Sequence, residues 1–389
     1  MSPAGLPETP LSDPRDPVPV PGLPRPAVLG ALTSLRFPLA LHVALYHMVR
    51  PFGRWCLFAP LMSSGYSAVS FFFLLSGFIL TYSHAAEYER GLGSACRFWL
   101  ARFARVYPVY LLGVLLAAYV DRGLFAYSIE RKALLASVFM VQSWSSRLVQ
   151  NFYVPAWSLS CEAFFYLVFP FLLMPLRRSS RAASFWWIAA FTVLAMAAPV
   201  WGLWHYAAPA MHELPVTRVG YGQVLRIRRL PLLALPEFLA GISLGWFYLQ
   251  HGISERAARR LTWAGAVLLI VILCCSARLP YLFLHNGLLI PVQCAVILGL
   301  TGGHWISRLL AHRWLMLLGE ASFSFYLFHL LVHEWLLAHF HLQATVRNAL
   351  WQVVLVTGLA VVLYRFVERP CRRFLLGFAR RSRTGNAVA

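Results

Sequence analysis

The sequence predicts an all-α, polytopic transmembrane helical bundle of about ten spans with both termini cytoplasmic, and three observations carry that reading. Of the 389 residues, 59% are apolar and only 12% charged, where a soluble domain of this size holds about 45–50% and about 25%. The mean hydropathy is +0.64, and mostly apolar stretches of about 20 residues, the length that crosses about 30 Å of hydrocarbon, recur along the chain. The charge is lopsided, with 34 Lys+Arg against 14 Asp+Glu and a formal +20, as expected where inner loops orient spans by their positive charge. These proportions exclude a soluble enzyme and, outside one short tail, a disordered chain. They also explain the basic surplus without nucleic acid.

Residues 1–28 are rich in proline and lack an apolar run or a cleavage pattern, so they read as a disordered cytoplasmic tail rather than a signal peptide. Apolar stretches then fall at about 29–49, 62–83, 106–120, 153–176, 184–204, 231–250, 262–277, 281–301, 315–338 and 348–367. The shorter run at 133–144 reads as re-entrant or interfacial, with an eleventh span as the alternative. Lys132 is the only lysine. With ten spans and both termini inside, 20 basic residues lie inside and 12 outside, while Arg36 and Arg365 fall within spans. Making 133–144 a span would put the Arg177–Arg181 and C-terminal clusters outside, against the positive-inside bias. One membrane domain therefore covers 29–374, followed by a basic cytoplasmic tail, 375–389. No internal repeat is visible. The 7 cysteines form no C-x-x-C pair and lie mostly in apolar runs, where they pack as small hydrophobes.

Ionisable groups inside lipid are costly and mark function by default. In the first span, ALTSLRFPLALHVALYHM, Arg36 and His47 share one helix face about 16 Å apart along the axis, and His42 falls elsewhere. Snorkelling would explain Arg36 alone and end-capping His47 alone; the shared face favours a lined path. Ser76-Gly77-Phe78 in the second span reads as a close helix contact. In the following inner segment, CRFWLARFARVYPVY, Arg102 and Arg105 are three apart and share a face of a helix beginning at the membrane edge. They form either a positive-inside anchor or a fork for phosphates, which arginine grips bidentately. In VPAWSLSCEAFFYLVFP, Glu162 follows Ser158 and Ser160, and a buried carboxylate must be paired or protonated. It either partners an arginine or transfers protons, and Glu237 poses the same choice. His329 and His333 share a face of the ninth span, but no third ligand accompanies them, so hydrogen-bonded histidines are expected and no metal.

Seven segments in order, LTSLRFPLALHVALYH, FFFLLSGFIL, the R-x-x-R element, WSLSCEAFFYLVFP, PEFLAGISLG, ASFSFYLFH and FVERPCRRF, resemble the acyltransferase-3 family of integral membrane acyltransferases over about residues 31–374. The resemblance implies transfer of an acyl group, usually acetyl, from cytosolic acyl-CoA as co-substrate to a hydroxyl of a glycan or glycan-like acceptor, with no bound cofactor. It implies that Arg36 and His47 are required for activity and that Arg102 and Arg105 serve the donor. Ser76, Ser158, Tyr326 and His329 are expected to support them. Two positions depart from the family pattern: Ser70 stands where an acidic residue is common, and Ala163 follows Glu162 where a second acid is common. Many members carry a C-terminal esterase-like domain, and this chain is expected to lack it.

Such chemistry suits these residues. Histidine, with an unperturbed pKa of about 6.5, can take the acceptor's proton as general base. Arg36, Ser76 or a backbone N–H can hold the oxyanion. Direct transfer at His47 is expected, with a covalent acyl-histidine relay as the variant. The expected partners are the bilayer of a cell (inner) membrane, acyl-CoA and the acceptor, with homo-oligomerisation open and no nucleic acid. A macrolide or lipid hydroxyl is the alternative acceptor, and a transporter or flippase of a glycan-linked lipid is the rival class.

Overall fold

A computed structural model gives the fold and describes residues 29–49, 59–85, 92–121, 127–149, 151–206, 226–340 and 345–385. The segment 1–28 lies outside the described residues, as does the end of the 375–389 tail from residue 386. The described residues contain no strand. The principal helices are α1 (Gly30–Val49), α2 (Ala68–His84), α3 (Leu92–Val120), α4 (Ser128–Val138), α5 (Trp157–Arg177), α6 (Arg181–Tyr206), α7 (Pro231–His251), α8 (Glu255–Cys274), α9 (Ile290–Leu300), α10 (Arg313–Phe340), α11 (Val346–Leu363) and α12 (Arg369–Gly385).

Among the described residues, nine stretches are long and apolar enough to cross a membrane. They coincide with nine of the ten expected. The tenth is α1, 20 residues long, whose Arg36, His42 and His47 dilute its apolar content and which packs inside the bundle. The central position falls to Gly65–His84, 89% buried, whereas Arg181–Gly202 and Glu255–Cys274 are 17% and 22% buried and turn their apolar faces outward.

Helix directions settle the count. Glycines let α2 and α7 touch backbone to backbone: a Cβ at Gly77 would lie 2.2 Å from Phe238 O, and one at Gly241 2.1 Å from Leu74 O. Farther along, Gly245 meets Thr81 and Tyr248 meets Tyr82 at 5.9 Å between ring centroids, so the two helices run parallel. Parallel second and sixth spans require an even number of crossings from one to the other. The 11-residue α4 is about 16 Å long and too short to cross, so it adds no traverse. The eleventh-span alternative is thereby removed.

Three details differ from the sequence reading. Arg102 and Arg105 lie on a helix as expected, but α3 begins earlier than the edge of the 106–120 stretch, at Leu92, and carries both in its interior. The stretch 281–301 is a broken span, a short helix Tyr281–His285 and then α9, interrupted at Gly287 with φ +90°. Glu237 accepts the Gly287 N–H at 3.3 Å, which gives this buried carboxylate a structural partner that is backbone rather than arginine. The last span does not stop near 367 but passes through a π-helical turn, Tyr364–Glu368, into α12.

The α2–α7 contact yields a stability test. Gly77→Val must force two backbones apart and is expected to cost at least about 1–3 kcal/mol. Gly358→Ala, where a Cβ meets nothing within 4 Å, should be neutral or stabilising by up to about 1 kcal/mol. Thermal unfolding of both variants in detergent reads the difference.

Candidate active site

α1 and α10 lie side by side and parallel. A Cβ at Gly319 would stand 2.0 Å from Thr33 O, Phe37 packs edge-on against Phe325 with centroids 5.4 Å apart, and His47 meets His329 at 5.4 Å. The polar faces of both helices therefore run together. On α10 the residues 322, 326, 329 and 333 recur at helical spacing, which brings Ser322, Tyr326, His329 and His333 to one side.

At the Arg36 end these faces open into a cavity of about 90 Å³. Seven of the nine expected site residues line it: Arg36, Ser76, Arg102, Arg105, Ser158, Glu162 and Tyr326. Five helices contribute them, α1, α2, α3, α5 and α10. His47 and His329 are not in the lining. They continue the line beyond Tyr326, whose ring lies 5.8 Å from that of His329.

Glu162 is held by hydroxyls. Its Oε1 accepts from Ser76 Oγ at 3.1 Å and from Tyr166 Oη, while the positive charge of Arg36 acts on it through space. Ser158 Oγ and Tyr326 Oη lie 2.8 Å apart, and Tyr326 also donates to Pro155 O at 3.1 Å. Arg102 Nη2 reaches His84 Nε2 at 3.4 Å, its guanidinium lies 5.6 Å from the Phe98 ring, and its Nε is buried without a hydrogen-bond partner. Arg105 and Arg372 add like charge beside it. A cluster of this kind is suited to an anion.

His329 is 1% exposed. Its Nδ1 lies 2.6 Å from Tyr326 O, an acceptor only, so Nδ1 carries the proton and Nε2 presents a lone pair. That Nε2 is buried with no hydrogen-bond partner. His333, by contrast, is engaged by Gln352 at 2.6 Å, and His42 by Leu61 O at 2.7 Å. Arg365, expected within a span, is exposed.

The sequence reading missed several participants. Tyr166 stands four residues after Glu162, and that helical spacing was the available signal. Glu320 lines the cavity and accepts from Tyr364 Oη. Glu368, 4% exposed, is reached by the charges of Arg105, Arg36 and Arg372. Its motif, FVERPCRRF, was legible, but its place against residues over 260 positions earlier was not.

Ser76→Ala and Tyr166→Phe each withdraw one donor from Glu162 and are expected to cost about 1–3 kcal/mol. Because both serve one oxygen, the double variant should depart from additivity. Thermal unfolding of the two single variants and the double variant measures the coupling.

Known proteins with similar sequences set this geometry in a family. The family model described as an acyltransferase domain matches residues 29–365. Acyltransferase MdmB of Streptomyces mycarofaciens is 29% identical, over 90% of this chain and 94% of its own length. A putative O-acetyltransferase of Staphylococcus aureus is 23% identical over 89% of this chain and 57% of its own. Peptidoglycan O-acetyltransferase OatA of Listeria monocytogenes is 26% identical over 79% of this chain and 51% of its own. The chain thus spans nearly all of MdmB but only about half of the other two. No solved structure matches it. This polytopic, all-helical protein, with its arginines, hydroxyls and histidines drawn onto one internal line, belongs to the acyltransferase-3 family.

Proposed function

We propose that the protein transfers an acetyl group from acetyl-CoA to a hydroxyl of a glycan or glycan-like acceptor, in a cell membrane and with both termini cytoplasmic. The observation that carries this reading is the cavity. It gathers Arg36, Arg102 and Arg105 with Ser76, Ser158 and Tyr326, and its line continues to the paired rings of His329 and His47. Arginines at one end suit the phosphates of CoA, and the unpartnered Arg102 Nε is a donor that such an anion satisfies. The neutral arm of the donor then lies along hydroxyls and aromatic rings towards the histidines.

At the junction, the acceptor O–H gives its proton to His47, and the oxygen attacks the thioester carbonyl. The resulting oxyanion needs a donor beside His47, and a backbone N–H there serves, since Arg36 stands about 16 Å away along α1. The C–S bond breaks, and the CoA thiolate takes the proton back from the imidazolium. His329, with its Nδ1 on Tyr326 O, sets the ring environment of His47 and offers the second lone pair.

The likeness to OatA, a peptidoglycan O-acetyltransferase, supports acetyl as the group and a glycan as the acceptor class. A macrolide or lipid hydroxyl is the second acceptor reading. Family membership weighs against a transporter.

Radiolabelled acetyl-CoA supplied to membranes with acceptor tests the chemistry. His47→Ala should lower transfer by about 10²–10⁴-fold, the usual worth of a general base, and Arg36→Ala by a comparable factor. Transfer surviving in both would remove these assignments, and a label trapped on the protein without acceptor would replace direct transfer by a relay. In equilibrium binding of labelled CoA, Arg102→Ala and Arg105→Ala should each weaken affinity by about ten-fold or more, the effect of losing a bond to a charged group.

A further inference from the structure

A second cavity, of about 460 Å³, opens between the connection preceding α5 and the segment that leads into α7. Arg226, Arg229, Trp144, Trp201, Ser143 and Ser146 line it, and among the described residues no Asp or Glu does. Arg226 is exposed. Arg229 is 7% exposed and donates from Nη1 to Val149 O at 3.2 Å. Trp144 and Trp201 keep 43% and 47% of their surface open, so apolar ring faces stand beside fixed positive charge.

Its position is informative. It lies at the C-terminal end of α6 and the N-terminal ends of α5 and α7. With alternating spans, that is the end of the bundle where α1 finishes near His47, opposite the end where α3 begins. The start of α5 and the connection before it form the wall between this cavity and the first. Ser143 Oγ, on the second cavity, donates to Trp157 O at 2.7 Å, and the next residue, Ser158, lines the first. The Arg229 guanidinium lies 5.7 Å from the Trp157 ring, and its charge reaches Tyr326. The connection forming this wall is held between two non-glycine residues at positive φ, Met140 at 57° and Tyr153 at 20°, and such backbone gathers at functional sites.

We propose that this second cavity seats the acyl acceptor, and that the acceptor is a hydroxylated ring bearing an anionic group, a sugar acid. The two arginines, with no carboxylate among the described lining residues, select negative charge. The indoles cover the apolar face of a ring. The shared wall brings a hydroxyl of that ring towards Ser158, Tyr326 and the histidines. The proposal rests on the transferase reading above, because it is acyl transfer that demands an acceptor at this end.

The full chain in lipid nanodiscs, labelled with 5-fluorotryptophan, provides the test. The Trp144 and Trp201 resonances are assigned from Trp→Phe variants. Methyl β-D-glucuronide is expected to shift both saturably, with methyl β-D-glucoside binding about ten-fold more weakly, since a charge-assisted bond is lost. Arg226→Gln and Arg229→Gln should each weaken the glucuronide by a similar factor while labelled CoA binding stays unchanged. Inorganic phosphate matching the glucuronide would overturn the sugar in favour of a headgroup site, and no saturable shift with the glucuronide would overturn the cavity's role. Loss of CoA binding to the unmodified protein with the sugar titration intact would instead strike the transferase reading.

Discussion

Gly319 of α10 stands so close to Thr33 of α1 that no side chain fits between them, and the two helices then stay in contact through Phe37 and Phe325 to His47 and His329. Everything at the site depends on this parallel seam. Arg36 and His47 lie on one face of α1, and without α10 that face would look into hydrocarbon, where an ionisable group is costly. With α10 in place the same face looks onto Ser322, Tyr326 and His329, and the seam becomes a polar line inside an apolar bundle. The α2–α7 interlock holds the opposite wall by the same device, a glycine on each helix at the crossing.

Three of the acidic groups are held by hydroxyl donors or backbone, while Glu368 lies among the charges of Arg36, Arg105 and Arg372. Glu162 takes Ser76 and Tyr166, Glu320 takes Tyr364 and Glu237 takes the Gly287 amide. In hydrocarbon each needs a partner, and a hydroxyl satisfies an oxygen without neutralising an arginine. The guanidiniums of Arg36, Arg102 and Arg105 thus crowd one another while facing open volume. Their mutual repulsion is relieved by an incoming anion, which makes the cavity a better phosphate site than the same arginines would form if each had its own carboxylate.

Much of the architecture was legible because hydrocarbon imposes a length and an apolar content, and nine stretches coincide with expectation on those grounds alone. The shared face of Arg36 and His47 followed from helical geometry, and Arg102 with Arg105 from their spacing. What sequence could not supply was the distance across the bundle. Nothing local in FVERPCRRF tells that Glu368 feels Arg36, or that Arg229, in a stretch resembling an ordinary outer loop, lies against Trp157. The break at Gly287 was hidden for a related reason: its flanks are as apolar as a continuous span, and only the packing of Met196 against the glycine demands the bend. The helix under Arg102 and Arg105 was expected, but it starts at Leu92, well before the apolar stretch that marked the span.

The parallel seam also has a consequence for biogenesis. A chain enters the membrane from its N-terminus, and α1, the least apolar of its traverses, emerges first, while its mate α10 follows more than 260 residues later. Throughout synthesis Arg36 and His47 must be sheltered by something other than their final neighbour. The polar line is completed only when the ninth traverse arrives, so a chain halted before α10 carries Arg36 and His47 without the residues they finally face. Completion of the fold and of that line are then a single event, placed late in the life of the nascent protein.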